Sequence, residues 1–241
     1  MRAYPVRLTV APSERFTRLQ LVIRLLAFVV LGMLGLSLGA LFIAAYLALP
    51  GFAAARLGAG RGARAYLEED GPRVLRALGW FAAIYAWFGL ATDRLPLRSP
   101  DESVRLEVEP AGQPTPASAL LRILVGLPSA LVLALLGCIA CLVWLWAALQ
   151  IVVRERVSSG PIAFLVGMQR WATRLLVYQA SLVDEYPPFS FETTGGPSPA
   201  AETGSDASAG RADPASPGRW TAPGSWPPPA ARGTPSSSRP R

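Results

Sequence analysis

The stretch VRLTVAP at residues 6–12 returns as VRLEVEP at residues 104–110. Five of the seven letters agree, and the two stretches lie 98 positions apart. The first alternates apolar and polar positions and carries β-branched residues, a pattern that predicts a short strand. Each stretch precedes a long apolar run. We therefore interpret the chain as two copies of one unit, each opened by an entry strand.

Further landmarks recur in the same order through both halves. They are an arginine, a glycine, a Gly-Pro pair and an Asp-x-x-Pro exit, at Arg24 and Arg122, Gly39 and Gly137, Gly71-Pro72 and Gly160-Pro161, and Asp93 and Asp184. One coincidence would mean little, but an ordered series predicts two tandem units. We place them at residues 4–97 and 98–191, with residues 192–241 as a tail.

The first unit has one long apolar run and one short run. Residues 25–49 contain no charged side chain, and about 20 apolar residues suffice to cross a bilayer as a helix. We predict a span at about 25–49, ended by Pro50 and Gly51. A second, weaker helix at 72–92 has an uncharged part of only 16 residues, 77–92. It either crosses the membrane with help from its flanks or lies along the surface.

The second unit repeats this order. Residues 123–153 are uncharged over 31 positions, which is more than one perpendicular crossing needs. Pro128 either splits off a short leading helix or kinks the run, so we place the span at about 128–153. The weaker helix at 161–183 carries Arg170 and Arg174 one turn apart. A charge inside a membrane is unfavourable, so their face meets protein or water, or the helix lies in the interface.

The predicted fold is therefore an all-α multi-pass membrane protein built from two tandem helical hairpins. The two entry strands are expected to pair with each other, or with the Pro-Pro-Phe exit. The lipid bilayer is the first expected partner. Gly35 and Gly39 form a GxxxG motif that favours self-association. A basic segment precedes the first span, which favours the cell membrane with cytoplasmic termini.

The tail has a different composition. Pro, Gly and Ser fill 25 of the 49 positions from 193 to 241, and Leu, Ile, Val and Phe are absent there. Such a segment buries too little apolar surface to fold, so we predict disorder. Trp220 and Trp226 are candidate contact points for a partner within it, although we favour a low-complexity extension.

The framing motifs resemble a known family. The opening YPVRL at residues 4–8 and the close VDEYPPF at residues 183–189 are similar to those of the bacterial membrane family called domain of unknown function 4389. The resemblance covers about residues 4–191 as two copies, the first degenerate at its end and the second at its start. It implies a multi-pass membrane protein. It implies no established activity, so no catalytic residues are carried over.

The composition removes several kinds of chemistry. The chain has no His, which excludes Ser–His and Cys–His catalysis within it. Cys138 and Cys141 are two thiols, too few to close a four-ligand zinc site, and we interpret them as small apolar residues packing in a membrane helix. The net charge of +7 comes from arginines that flank apolar runs, which favours lipid headgroups over nucleic acid. We predict no catalytic, cofactor-binding or metal-binding residues.

Three functions remain at this point. The first is a non-enzymatic scaffold or regulator of a protein partner in the membrane. The second is a small transport or permeation component, in which Arg170 and Arg174 would line a path for an anion. The third is a lipid-modifying enzyme, whose candidate carboxylates form two loop clusters, at Glu68, Glu69 and Asp70 and at Asp184 and Glu185.

Overall fold

A computed structural model of the protein describes residues 4–11, 13, 15–60, 62–188 and 220–221. In chain order its elements are β1 (Val6–Val10), α1 (Arg18–Met33), α2 (Leu38–Gly58), α3 (Ala63–Ala65), α4 (Gly71–Phe88), β2 (Val104–Val108), α5 (Pro116–Arg154), α6 (Ser159–Gln179) and β3 (Trp220–Thr221). A π-helical turn, Tyr66–Asp70, joins α3 to α4, and a 3-10 turn, Pro100–Glu102, precedes β2. The prediction of a mostly helical chain is confirmed.

The two entry strands pair with each other. β1 and β2 run antiparallel, with Leu8 opposite Leu106 and Val6 opposite Val108. Because side chains alternate along a strand, these residues all point to one face, where they are buried. The expected pairing of the repeated stretches is thus confirmed. The backbone of β3 pairs with the other edge of β2, although the sequence places those two residues in a disordered tail. The rest of the tail, including Trp226, lies outside the described residues.

The first predicted span differs from the structure in its middle and at its end. The run at 25–49 is not one helix, because the chain turns at residues 34–37 between α1 and α2. Gly35 has φ +70° there, a conformation that glycine adopts without strain, and the Ser37 side chain caps α2 by accepting the Ala40 N–H at 3.0 Å. The predicted stop at Pro50 is also wrong. Pro50 is buried inside α2, which continues to Gly58 because packing along α5 compensates for one missing hydrogen bond.

The second long helix is continuous. The predicted split at Pro128 does not occur, and α5 runs for 39 residues, about 58 Å at 1.5 Å per residue. Thr115 begins it with a capping box shared with Ser118, and Glu155 ends it in the left-handed conformation at φ +54°. A single proline is outweighed here by a well-capped helix that packs against both α2 and α6.

Within the described residues, two helices are long and apolar enough to cross a membrane. These are α2, with 21 residues, and α5, with 39. This finding rests on length and composition alone, and it is compatible with membrane association without establishing it. α4 and α6, which correspond to the weaker predicted helices at 72–92 and 161–183, do not meet the same criterion, so four crossings are not shown.

The elements stack in three layers. The sheet forms the first, since β1 packs on α6 and β2 packs on α4. α4 and α6 pack on each other and form the second layer. The third contains α1, α2 and α5, which packs on α6. α5 runs antiparallel to α1 and α2: Arg18 pairs with Glu155 at one end, and the Tyr46 hydroxyl donates to the Ile123 carbonyl toward the other.

Candidate membrane interface

Two helices of the third layer, α1 and α5, each carry one buried arginine. Arg122 on α5 is 6 % exposed and donates through Nη1 to the carbonyl oxygens of Tyr178, at 2.9 Å, and Val183. Its Nη2 donates to the carboxylate of Asp184. Its guanidinium also lies over the Tyr178 ring, 4.6 Å from the centroid. We call this set the second clasp, because it ties the exit segment after α6 to the start of α5.

The first half contains a matching set around Arg24, which is completely buried. Its Nη2 donates to the Thr92 carbonyl at 2.6 Å and to Asp93 Oδ1 at 3.2 Å, and its guanidinium lies 5.1 Å from the Trp87 ring centroid. Burial lowers the pKa of Arg24 to about 10, against the opposing effect of Asp93. This set is the first clasp. Among the described residues, the Nε and Nη1 atoms of Arg24 have no hydrogen-bond partner.

The sequence contains a signal for the clasps in the repeated positions of their arginines and aspartates. Arg24 and Arg122 fall at one offset in the repeat, and Asp93 and Asp184 fall at another. Their shared order identified them as landmarks. Which arginine contacts which aspartate depends on how each hairpin folds back, so the pairing itself became visible only in three dimensions.

The arginine pair on α6 packs under β1, with Arg174 buried and Arg170 half-buried. Arg170 Nε donates to the Leu8 carbonyl at 3.3 Å, and Arg174 is 2 % exposed with its guanidinium over the Tyr4 ring. Burial lowers the pKa of both arginines and raises that of Tyr4 above its usual range. The Tyr4 hydroxyl donates to the Glu185 carbonyl at 3.2 Å. These groups hold β1 against α6, so the arginines that a transport path would require are engaged beneath the sheet.

Three of the five candidate carboxylates, Glu68, Asp70 and Asp184, are engaged in ion pairs. Asp70 accepts two hydrogen bonds from Arg56, at 2.9 and 2.7 Å, and Glu68 accepts one from Arg64 at 2.7 Å. Asp184 belongs to the second clasp. In the described part of the chain, no three His, Cys, Asp or Glu residues lie close enough to hold a metal ion.

Two interpretations of small residues are corrected. Cys138 and Cys141 are exposed on α5, so within the described residues they do not pack against another helix. Gly35 lies in the turn before α2, whereas Gly39 lies inside that helix, so the two do not share one helix face. No atom lies within 4 Å of a Cβ built on Gly35. The GxxxG argument for self-association therefore loses its geometric basis.

The largest unexplained feature is an apolar face on the third layer. Residues 25–55 and 123–153 contain no charged side chain. Large apolar side chains project from this layer with 40 to 84 % of their surface exposed, and we define the apolar face by Leu26, Val29, Met33, Leu36, Ile43, Leu47, Leu124, Leu131, Leu135, Leu142, Leu145, Leu149 and Val153. A soluble monomer rarely exposes so extensive an apolar surface, which therefore marks a contact with lipid or protein.

Arginines stand at both ends of the apolar face. At the end where α5 finishes, exposed guanidinium groups belong to Arg15, Arg18, Arg154 and Arg156. At the end where α2 finishes, they belong to Arg64, Arg73 and Arg76, and Glu68 and Glu69 are exposed there as well. Arginine heads beside an apolar surface suit the phosphates of lipid headgroups.

The comparisons with known proteins give one match. A family model described as a domain of unknown function (DUF4389) matches residues 116–190, less than a third of the chain. The match begins with α5 and ends in the exit segment, so it covers one copy of the predicted unit without its entry strand. No curated protein and no solved structure matches the chain. The resemblance seen in the sequence is thereby supported for the second unit and not for the first.

Proposed function

We propose that the protein is a membrane-bound, non-enzymatic scaffold or regulator that holds a protein partner at the cell membrane. The observation that carries this proposal is the apolar face, uncharged along both long helices and bordered by arginines at both ends. The polar surface on the opposite side of the molecule is left for the protein partner. We place the chain termini on the cytoplasmic side.

The proposal includes two tandem copies of the family unit. The contacts themselves repeat: Ala11 N–H donates to the Ser103 carbonyl at 2.9 Å, and Glu109, the residue that corresponds to Ala11, donates to the Pro5 carbonyl at 2.9 Å. The helix exits repeat as well, since Leu90 and Ser181 have φ +56° and +58° at corresponding positions. Matching strained positions and matching hydrogen bonds support descent of the first half from the same unit.

The other two functions have less support. A transport path would require accessible charged groups along a span, and Arg174 is instead buried under Tyr4. A lipid-modifying enzyme would require a carboxylate pair free for acid–base work, whereas Asp70 is 1 % exposed and bound by Arg56, and the exposed Glu68 and Asp184 are bound by Arg64 and Arg122. The scaffold hypothesis needs neither arrangement.

Cell fractionation combined with a deletion strain tests the proposal. The chain should remain with membranes through a carbonate wash and dissolve in detergent. Deleting its gene should release one or more proteins from the membrane fraction, and the full chain should restore them. Leu142→Glu on the apolar face should fail to restore them, whereas Thr9→Glu on the outer side of the sheet should leave the chain on the membrane. A chain found in the soluble fraction would contradict the proposal, as would altered lipids or ion flux without any released protein.

A further inference from the structure

We infer that α1, α2 and α5 lie in the plane of the membrane, embedded in one leaflet by the apolar face, with the β-sheet turned to water. The inference rests on the proposed membrane location and deepens it by naming the surface, its ligand and its orientation. The ligand is a lipid leaflet with anionic headgroups.

The position of the sheet along the long helices is the first step. The Leu8 carbonyl accepts a hydrogen bond from Arg170, in the middle of α6, and Pro100 lies against Gly79, in the middle of α4. α6 in turn runs back along α5, and Gln179 at its end donates to the Arg122 carbonyl at 3.0 Å. The sheet therefore lies opposite the midpoint of α5 and not beyond either end.

The outer side of that sheet is charged. Arg7 and Thr9 are exposed on β1, and Arg105 and Glu107 form an ion pair at 3.0 Å on β2. If α5 crossed the bilayer upright, these groups would lie level with the centre of the hydrocarbon, where charge is most unfavourable. If α5 lies in the plane of the membrane, a whole layer of helices separates them from the lipid.

The length of α5 gives the second step. Its uncharged part, residues 123–153, measures about 46 Å at 1.5 Å per residue. Fitting that length into a hydrocarbon core of about 30 Å requires a tilt of about 50° from the membrane normal. Membrane-spanning helices tilt by about 0 to 40°. An in-plane helix has no such mismatch, because its length is not limited by the thickness of the bilayer.

The two sides of α5 give the third step. Leu124, Leu131, Cys138, Leu145 and Val152 recur every seven residues and are all exposed. The opposite side is buried along the same length, at Arg122, Gly126, Ser129, Leu133, Ala140, Ala147 and Ile151. The helix therefore has one continuous side toward protein and one continuous side away from it, as an in-plane helix requires.

Charge decides between lipid and a second copy of this chain as the occupant of the apolar face. At the end where α5 finishes, four exposed arginines stand against one exposed carboxylate among the described residues, Glu155, so two copies that met there would repel each other. At the other end the exposed arginines are accompanied by the exposed carboxylates of Glu68 and Glu69. Anionic headgroups pair with the basic end, and lipid chains cover the uncharged length of α2 and α5. The apolar face and its basic border therefore match a lipid leaflet better than a second copy.

Spin-label depth measurements test the inference with the full chain bound to vesicles of phosphatidylethanolamine and phosphatidylglycerol. One probe is placed on native Cys138 in a Cys141→Ala variant. The others are placed singly by Leu124→Cys, Leu131→Cys, Leu145→Cys and Val152→Cys in a background with both Cys138→Ala and Cys141→Ala. A further probe is placed by Thr9→Cys in that background. Collision rates with oxygen and with a water-soluble nickel chelate give the depth of each probe.

We expect the five probes on α5 to lie at one depth and the Thr9→Cys probe to collide with nickel as freely as in water. A depth that peaks at Cys138 and falls toward both ends, with the sheet probe shielded from nickel, would overturn the inference and leave the proposed membrane location intact. A chain that does not bind the vesicles would overturn both. Probes shielded from oxygen as well as nickel, in particles of doubled mass, would identify a second copy as the occupant and overturn the lipid assignment.

Discussion

At the scale of single residues, the first clasp places a complete guanidinium group out of water with one carboxylate beside it. Arg24 is 0 % exposed, and Asp93 is 13 % exposed in the same ion pair. A buried charge that loses its partner is left with its desolvation uncompensated, whereas an apolar pair of similar size can be nearly neutral. The free energy of unfolding should therefore fall more when Asp93 alone is replaced than when Arg24 and Asp93 are replaced together.

Asp93→Asn should lower the free energy of unfolding by about 3 kcal/mol, because it strands the Arg24 charge. Arg24→Met combined with Asp93→Asn should recover most of that loss. Denaturant unfolding in detergent micelles measures both. Asp184→Asn is the matched control and should lose less, because Asp184 is 49 % exposed and water can replace it. Equal losses for the two aspartates would contradict the role assigned to burial.

Tyr66 makes the stability of the folded chain decrease at alkaline pH. Its side chain is completely buried, and the hydroxyl donates to the Ala180 carbonyl at 2.6 Å. Burial, assisted by the Asp70 charge, raises the pKa of Tyr66 to about 12 from an ordinary value near 10. The raised pKa in the folded state means that its contribution to stability is complete below about pH 10 and is lost as the pH rises to about 12.

Tyr66→Phe should flatten the decline of stability between about pH 10 and pH 12, by up to about 2.7 kcal/mol over two pKa units. Denaturant midpoints at a series of alkaline pH values measure the slope. The wild-type chain is the reference, and the variant should be less stable than wild type at neutral pH. Parallel pH profiles for the two proteins would show that Tyr66 does not control the alkaline decline.

At the scale of elements, the two long helices show what the sequence could and could not predict. The apolar runs correctly located helical segments, since periodicity and composition are local. The break at Gly35 was missed because a glycine in an apolar run was interpreted as a packing residue. The stop at Pro50 and the split at Pro128 follow from a local rule, and the tertiary packing along α5 overrides that rule.

The turn at Gly35 predicts opposite effects for two similar substitutions. Gly35→Ala should destabilise the chain by about 1 kcal/mol, because φ +70° is unfavourable for any residue with a Cβ. Gly39→Ala lies inside α2 with only the Ser37 Oγ near its Cβ, at 3.8 Å, and should be neutral or stabilising. Thermal unfolding of the two variants measures the difference. A change of oligomeric state in both variants would restore the GxxxG interpretation.

Pro128 should be replaceable with a gain. It is exposed inside α5 and removes one main-chain hydrogen bond, so Pro128→Ala should raise the free energy of unfolding by about 1 to 3 kcal/mol. Pro50→Ala is the matched control and should gain less, because Pro50 is buried and its ring is lost from the core. Denaturant unfolding compares them. A loss of stability in Pro128→Ala would show that α5 depends on a proline-specific shape.

At the scale of the whole molecule, the repeat predicted the pairing of the entry strands but not the stacking of the layers. The antiparallel register, with Leu8 opposite Leu106, did not follow from the sequence, because equal positions in a repeat do not fix which residues face each other. The order of the three layers did not follow from the sequence. The orientation of the helices did not follow either, since hydropathy alone gives the same signal for a helix that crosses a bilayer and a helix that lies on one. That distinction depends on where the charged side of the sheet falls along α5, which is a long-range property.

The pairing of the two units should survive a cut between them. Fragments 1–97 and 98–241, expressed together, should co-purify because the sheet and the third layer both join them. Leu8→Asp in the first fragment should abolish co-purification, since Leu8 is 2 % exposed opposite Leu106. Thr9→Asp on the exposed side of the same strand is the control and should have little effect. Independent elution of the unaltered fragments would contradict the tandem arrangement.

The unequal construction of the long helices has a mechanical consequence. α5 is one uninterrupted element of about 58 Å, whereas its counterpart in the first unit is jointed at Gly35. A long straight helix contacts a membrane surface along its whole length only where that surface is flat, whereas two helices joined by a turn can follow a curved surface. α5 is the rigid element, and the turn between α1 and α2 allows the first unit to bend. The curvature of the membrane beneath them therefore determines how much of the apolar face lipid can cover.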